Sequence, residues 1–172
     1  MSGKGGRLAL YLVAGAIALA AGVGLALWDR KAPDARELLA LSLPDTQGAP
    51  QPLSQWQGKV LLVNFWATWC GPCREEMPEF VKAQRDFGPK GLQVVGIAID
   101  QPDKVKQFAK ELNLNYPALI ASYETLDVAK PLGDSLLGLP FTVVLDRQGR
   151  VAHTQLGPMK PSQLRTIVGN LL

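Results

Sequence analysis

The sequence has few of the residues that build metal centres, disulfide frameworks or nucleic-acid interfaces. Its 172 residues include 2 cysteines and 1 histidine. This is too few for a disulfide framework, a four-thiolate zinc site or most multi-histidine metal centres. The 18 basic and 15 acidic side chains leave a net charge of only +3. Because nucleic-acid binding requires a concentrated basic surface, we expect no nucleic-acid partner. Because the chain has so few cysteines and histidines, we also expect no metal ion.

One stretch, residues 8–28, has no charged residue at all. As a helix, a stretch of this length would reach ~31 Å, about the hydrocarbon thickness of a bilayer. We therefore predict a cytoplasmic N-terminus at residues 1–7, a transmembrane anchor at 8–28, a linker at 29–37 and a globular domain at 38–172. The alternative is a secretory signal, since Ala18-Leu19-Ala20 has the small-x-small pattern of a cleavage site.

The apolar pattern of the domain predicts alternating strands and helices. Lys59–Phe65 and Leu92–Ile99 are nearly continuous apolar runs, typical of strands buried on both faces. Alternation that ends in a hairpin and a helix predicts an α/β sandwich with a central mixed sheet. The other predicted elements are a strand at Glu37–Leu43, a helix from Pro72 to Gly88, a helix from Pro102, a strand at Tyr116–Ala121, a helical piece at Asp127–Leu132, a hairpin over 141–157 and a helix from Pro161.

Two cysteines, Cys70 and Cys73, flank Gly71-Pro72 where a strand is followed by a helix. At a helix N-terminus, unpaired N–H groups and the macrodipole favour a thiolate, and the second cysteine lies one turn further on. We predict that Cys70 is the attacking sulfur and Cys73 the resolving sulfur of a redox-active disulfide. A purely stabilising disulfide is disfavoured because so short a loop gains little entropy, and a metal site would need more ligands than the single His153 supplies.

The segment VNFWATWCGPCREEMPEF, residues 63–80, resembles the active-site segment of the thioredoxin superfamily. The resemblance is closest to the membrane-anchored extracytoplasmic TlpA/ResA-like thiol-disulfide oxidoreductases, and it extends from Leu41 to the C-terminus. It implies a thioredoxin-like sandwich with an N-terminal strand extension and an inserted β-α unit within residues 89–121. It also implies that the only redox group is the cysteine pair, with no other cofactor.

The same resemblance implies roles for residues around the cysteines. Glu76 matches a glutamate that relays a proton to or from Cys73; the alternative is a side chain that merely faces solvent. Asn64 stands where cytosolic thioredoxins have an aspartate, so any proton transfer must move to Glu76. Phe141, where relatives often have threonine, bears on the shape of the groove. The residues predicted to border the substrate are Trp69, which would cover one side of the disulfide, Gly71, Pro72, Leu139 and the cis-proline Pro140.

The resemblance also implies a biological setting. The expected activity is reduction of protein disulfides outside the cytoplasm, with substrates of the cytochrome c maturation or copper-site (oxidase assembly) type. The expected electron donor is a membrane protein of the DsbD/CcdA kind. The chain would be a single-pass protein of the bacterial inner membrane with its catalytic domain in the periplasm, or a secreted periplasmic protein after signal cleavage. The alternative function is a copper or heme chaperone that uses the thiolates of Cys70 and Cys73 as ligands.

Overall fold

The computed structural model describes Leu12, Gly15 and residues 33–172. The predicted membrane span thus lies outside the described residues, apart from these two positions. In the part of the chain that is described, no helix is both long and apolar enough to cross a membrane. Residues 33–172 form a compact unit of their own, and the fold that follows is that of this unit.

The first element of this unit is a short helix, α1, at Arg36–Ala40. The predicted strand at Glu37–Leu43 is therefore wrong over most of its length. Ala35 and Leu38 are both buried, a spacing that suits one face of a helix. The carboxylate of Asp34 also accepts a hydrogen bond from the backbone N–H of Arg36 at 3.0 Å, so the first turn of the helix has a local acceptor.

Two short strands follow, β1 at Ser42–Pro44 and β2 at Pro50–Pro52. They pair with each other in an antiparallel two-stranded sheet. An isolated bridge between Asp45 and Leu119 brings this extension to the edge of the main sheet. The expected N-terminal strand extension is thus present, as a separate small sheet.

The central sheet has five strands in the order β5-β4-β3-β6-β7. Its middle strand, β3 at Val60–Trp66, pairs in parallel with β4 at Leu92–Ala98 and antiparallel with β6 at Phe141–Leu145. The edges are β5 at Ala118–Ile120, parallel to β4, and β7 at Val151–Leu156, antiparallel to β6. The sheet is therefore mixed, as the sequence predicts.

Helices cover both faces of this sheet. The long α2 at Gly71–Phe87 packs with α3 at Pro102–Glu111 and α4 at Pro161–Leu171 on one face. Helix α1 and a 3₁₀ helix at Tyr123–Leu132 cover the other face. Shorter 3₁₀ turns lie at Leu53–Trp56 and Gly88–Lys90. The unit α3–β5 falls within residues 89–121, where the insertion is expected, and β5 extends the sheet at its edge.

The connection from β3 to α2 places the cysteines at one end of the sheet. Strand β3 ends at Trp66 and α2 begins at Gly71, so the turn between them lies at the carboxyl end of the central strand. Because β6 runs antiparallel, its first residue, Phe141, stands opposite Phe65. The segment that precedes β6 therefore reaches the same end of the sheet as the cysteines. This is the usual location of functional sites in sheets with parallel strands.

Candidate active site

The two cysteines form a disulfide with an S–S distance of 2.01 Å and a Cα–Cα distance of 5.3 Å. Cys70 is the N-cap residue of α2, and its sulfur accepts a hydrogen bond from the backbone N–H of Cys73 at 3.2 Å. Cys70 is 6% exposed and Cys73 is fully buried. Cys70 is therefore the more exposed of the two cysteines, and an amide of the first helical turn is in place to stabilise a negative charge on its sulfur.

The surface around the disulfide is open on the side of the helix start. Gly71 and Pro72 are both exposed, and a Cβ added at Gly71 would meet no atom within 4 Å. Trp69 is 60% exposed. Its ring lines an open groove with the loops that follow β4 and β5. That it covers one side of the disulfide remains a prediction.

The segment before β6 reaches the same end of the sheet as the cysteines. The Leu139–Pro140 peptide bond is cis, as the resemblance implies. The carbonyl of Pro140 accepts a hydrogen bond from the backbone N–H of Gly157 at 2.8 Å, which ties the segment to the end of β7. Phe141 is buried, and its ring lies 6.1 Å from that of Phe65. That it bears on the shape of the groove stays a prediction.

Glu76 lies inside the protein, one turn after Cys73 on α2. Residues three apart on a helix share a face, so both side chains point towards the sheet. Glu76 is only 4% exposed, whereas Glu75 is exposed. The alternative of a solvent-facing Glu76 is therefore wrong. Its Oε1 accepts a hydrogen bond from the side-chain amide of Asn64 at 2.9 Å, and its Oε2 accepts one from the backbone N–H of Met159 at 2.9 Å.

The environment of Glu76 brings the pKa of its carboxyl group close to neutral pH. Burial raises the pKa of its carboxyl group to about 7, although the hydrogen bonds from Met159 and Asn64 act in the opposite direction. A carboxyl group with this pKa is present in both protonation states at neutral pH. It can therefore take up or release a proton without a large energetic cost.

Asn64 connects this carboxyl group to the central sheet. It lies in the middle of β3, and its side-chain amide also donates to the hydroxyl of Thr142 at 3.0 Å. The two residues are register partners on β3 and β6, and both are buried. Sequence reasoning did not identify Thr142, although a polar residue within a buried apolar strand was the available signal. Met159 was also missed, and because it acts through its backbone N–H, its side chain gave no signal.

Two further residues complete the description of the surroundings. Trp66 is buried, and its ring packs 5.5 Å from that of Phe108. His153 lies in β7, where a ring nitrogen is 3.3 Å from the side-chain nitrogen of Gln163. Among the residues that the structure describes, no group of three or more His, Cys, Asp or Glu side chains could hold a metal ion.

Comparison with known proteins gives consistent matches over most of the chain. Residues 29–171 match the family model described as Redoxin. The chain is 28% identical over 156 residues to the thiol-disulfide oxidoreductase ResA of Bacillus thuringiensis subsp. konkukian, covering 90% of this chain and 88% of ResA. It is 32% identical over 145 residues to the thioredoxin-like protein YneN of Bacillus subtilis, covering 78% and 75%. A solved structure of a thioredoxin-family thiol:disulfide interchange protein from Chlorobium tepidum matches with a TM-score of 0.72 and 31% identity, covering 83% and 97%.

Proposed function

Because this chain belongs to the Redoxin family and is a thiol-disulfide oxidoreductase of thioredoxin-like fold, we propose that it reduces disulfides of selected proteins outside the cytoplasm. The observation that carries the proposal is the arrangement at the start of α2. Cys70 reaches the surface there, Cys73 is buried behind it, and a buried carboxyl group follows one turn later. This arrangement supplies a nucleophile, a resolving thiol and a proton acceptor.

The reaction begins with the reduced cysteine pair. The thiolate of Cys70 attacks one sulfur of the substrate disulfide, so that a mixed disulfide forms and the other substrate sulfur leaves as a thiolate. Cys73 then loses its proton and attacks the sulfur of Cys70. This step closes the Cys70–Cys73 disulfide and releases the second substrate thiol. Two electrons pass from the cysteine pair to the substrate.

Glu76 is the proposed acceptor for the proton of Cys73. Cys73 has no direct access to solvent, so a base inside the protein is needed when its thiol is activated. With a pKa of about 7, the Glu76 carboxylate takes up this proton at neutral pH and releases it again in the reverse reaction. Asn64 and Met159 hold the carboxyl group in place during both events.

The direction of electron flow is proposed from the residues between the cysteines. Gly71-Pro72 is the dipeptide of thioredoxin, whose potential is about −270 mV compared with about −120 mV for the oxidant DsbA. The difference corresponds to roughly 7 kcal/mol in favour of giving up electrons. A reductant of this kind needs its own electron donor, for which we propose a membrane protein of the DsbD/CcdA kind.

The proposed location follows from this need for a donor. An anchor at residues 8–28 in the bacterial inner membrane would hold the domain on the periplasmic side, close to the donor, and raise its effective concentration. A periplasmic form released by signal cleavage is the alternative. The proposed substrates are the heme-attachment cysteines of apocytochrome c or the copper-site cysteines of respiratory oxidases.

Trapping of mixed disulfides tests the proposal directly. In Cys73→Ser the resolving attack is lost, so substrates should accumulate as adducts on Cys70 and can be isolated from the native membrane fraction. Cys70→Ser is the matched control, because it retains one thiol but lacks the accessible one. Adducts with Cys70→Ser alone would reverse the two roles. A potential above about −180 mV for the wild-type pair would contradict the assignment as a reductant.

A further inference from the structure

An open groove of about 530 Å³ lies beside the active site, and we call it the Trp69 groove. One wall is the loop 99–102, which joins β4 to α3, and the other is the segment 121–124 after β5. Trp69, which directly precedes Cys70 in the chain, also lines the groove. A polypeptide whose disulfide is attacked by Cys70 therefore passes close to this groove.

Two aromatic side chains in the groove are unusually exposed. Trp69 and Tyr123 are each 60% exposed, whereas most large apolar side chains of residues 33–172 are packed into the two cores. Exposed aromatic rings that line the same groove are typical of a binding surface. The face of an aromatic ring also attracts a positively charged group.

The charged side chains that line the groove are both acidic, Asp100 and Glu124. A hydrogen bond from Ser122 lowers the pKa of Glu124. Burial would raise the pKa of Asp100, but hydrogen bonds, first among them that from Thr68, bring it below its usual value. Both groups are therefore ionised at neutral pH. Glu124 forms no ion pair with any residue of the described part of the chain.

One nearby basic residue reduces the negative charge of the groove in part. Lys104, one turn into α3, acts on Asp100 and offsets some of its negative charge. No lysine or arginine lines the groove itself among the described residues. The groove thus keeps the negative charge of Glu124, which lies on the same wall as the exposed ring of Tyr123, and part of that of Asp100. Negative charge next to aromatic faces is the environment that a lysine or arginine side chain favours.

We propose that the Trp69 groove binds a lysine or arginine side chain that lies next to the reactive cysteine of an extended substrate segment. The inference rests on the proposed function, since it concerns how a disulfide substrate is selected. The aliphatic part of the basic side chain packs against Trp69 and Tyr123, and its charged end faces Glu124. Because a strand advances ~3.3 Å per residue, the basic residue lies within a few positions of the cysteine.

Reduction of two matched peptides tests this inference. Both contain the same intramolecular disulfide, and they differ only in having lysine or glutamate beside one cysteine. For the full-length reduced protein we expect kcat/KM to be several-fold higher for the lysine peptide, the size typical of a partly exposed charge contact. Glu124→Gln should lower this ratio by about threefold. Glu111→Gln, an exposed carboxylate of α3 outside the groove, should leave the ratio as in the wild type.

The outcomes separate this inference from the proposed function. Raising the salt concentration should reduce the wild-type preference, because exposed charges are screened within ~10 Å at 0.1 M ionic strength. Equal rates for the two peptides in the wild type, or equal effects of Glu124→Gln and Glu111→Gln, would overturn the inference while leaving the reductase activity established. Failure of the wild type to reduce either peptide would overturn the proposed function as well.

Discussion

The folding stability of the protein should depend on pH through the Glu76 carboxyl group, and replacement of Glu76 by glutamine should remove this part of the dependence. The pKa of Glu76 is about 7 in the folded protein and 4.5 for an unperturbed glutamate. The difference of about 2.5 units is equivalent to roughly 3 kcal/mol at ~1.36 kcal/mol per unit. The folded state binds the proton of the Glu76 carboxyl group more tightly than the unfolded state does. The contribution of this group to the free energy of unfolding is therefore fully present below pH 4.5 and is lost as the pH rises through 7.

The measurement is the free energy of unfolding in urea for the oxidised protein, between about pH 5 and about pH 8. The oxidised form is chosen because cysteines in a disulfide do not titrate. As the pH rises across this range, the free energy of unfolding of the wild type should fall by roughly 2–3 kcal/mol relative to that of Glu76→Gln. The side-chain amide of glutamine does not titrate, so any change in its hydrogen bonds with Asn64 and Met159 alters the stability of the variant by an amount that does not vary with pH.

The comparison of the two profiles isolates Glu76, since every other titrating group is common to both proteins. Parallel profiles would refute the reasoning, because they would mean that the Glu76 carboxyl has the same proton affinity in the folded and unfolded states. A wild type that becomes relatively more stable as the pH rises would also refute it, since the sign would then be that of a carboxylate stabilised in its charged form.

Three further substitutions test other contacts. Gly96→Ala should destabilise the protein by about 1–3 kcal/mol in urea unfolding, because the added Cβ would lie 2.8 Å from the indole nitrogen of the buried Trp66. Gly169→Ala, in α4 with no atom within 4 Å of the added Cβ, should instead stabilise it by about 0.5–1 kcal/mol, and equal effects of the two changes would contradict the packing argument. Asn64→Ala should raise the pKa of Glu76 further, measured by NMR of the carboxyl group, since it removes a hydrogen bond that favours the charged form; an unchanged pKa would contradict this.

The parts of the fold that could be predicted from the sequence are those set by local patterns. The continuous apolar run of β3 and the Cys70–Cys73 spacing both depend on near neighbours in the chain, and both are found in the structure. The short helix at Arg36–Ala40 was missed because it has only five residues. In so short a segment the spacing of the apolar residues does not distinguish a helix from a strand.

The remaining features of the site depend on residues that are distant in sequence. Met159 lies 83 positions from Glu76, and only the docking of α4 against α2 brings its backbone N–H to the carboxyl group. The Trp69 groove likewise requires the loops after β4 and β5 to lie side by side, which is settled by strand order rather than by composition. No pattern within a short window contains this information.

The asparagine at position 64 affects how the neighbouring Glu76 can form hydrogen bonds in its ionised and in its neutral form. A carboxylate accepts hydrogen bonds, whereas a neutral carboxyl group also donates one. The amide of Asn64 offers its nitrogen to Glu76 and Thr142, while its oxygen has no partner among the described side chains. Half a turn about its last bond would exchange the two ends and present the oxygen to a carboxyl hydrogen. A leucine could form a hydrogen bond with neither state, and an ionised aspartate could only accept one, whereas an amide has both a donor for the ionised form of Glu76 and an acceptor for its neutral form.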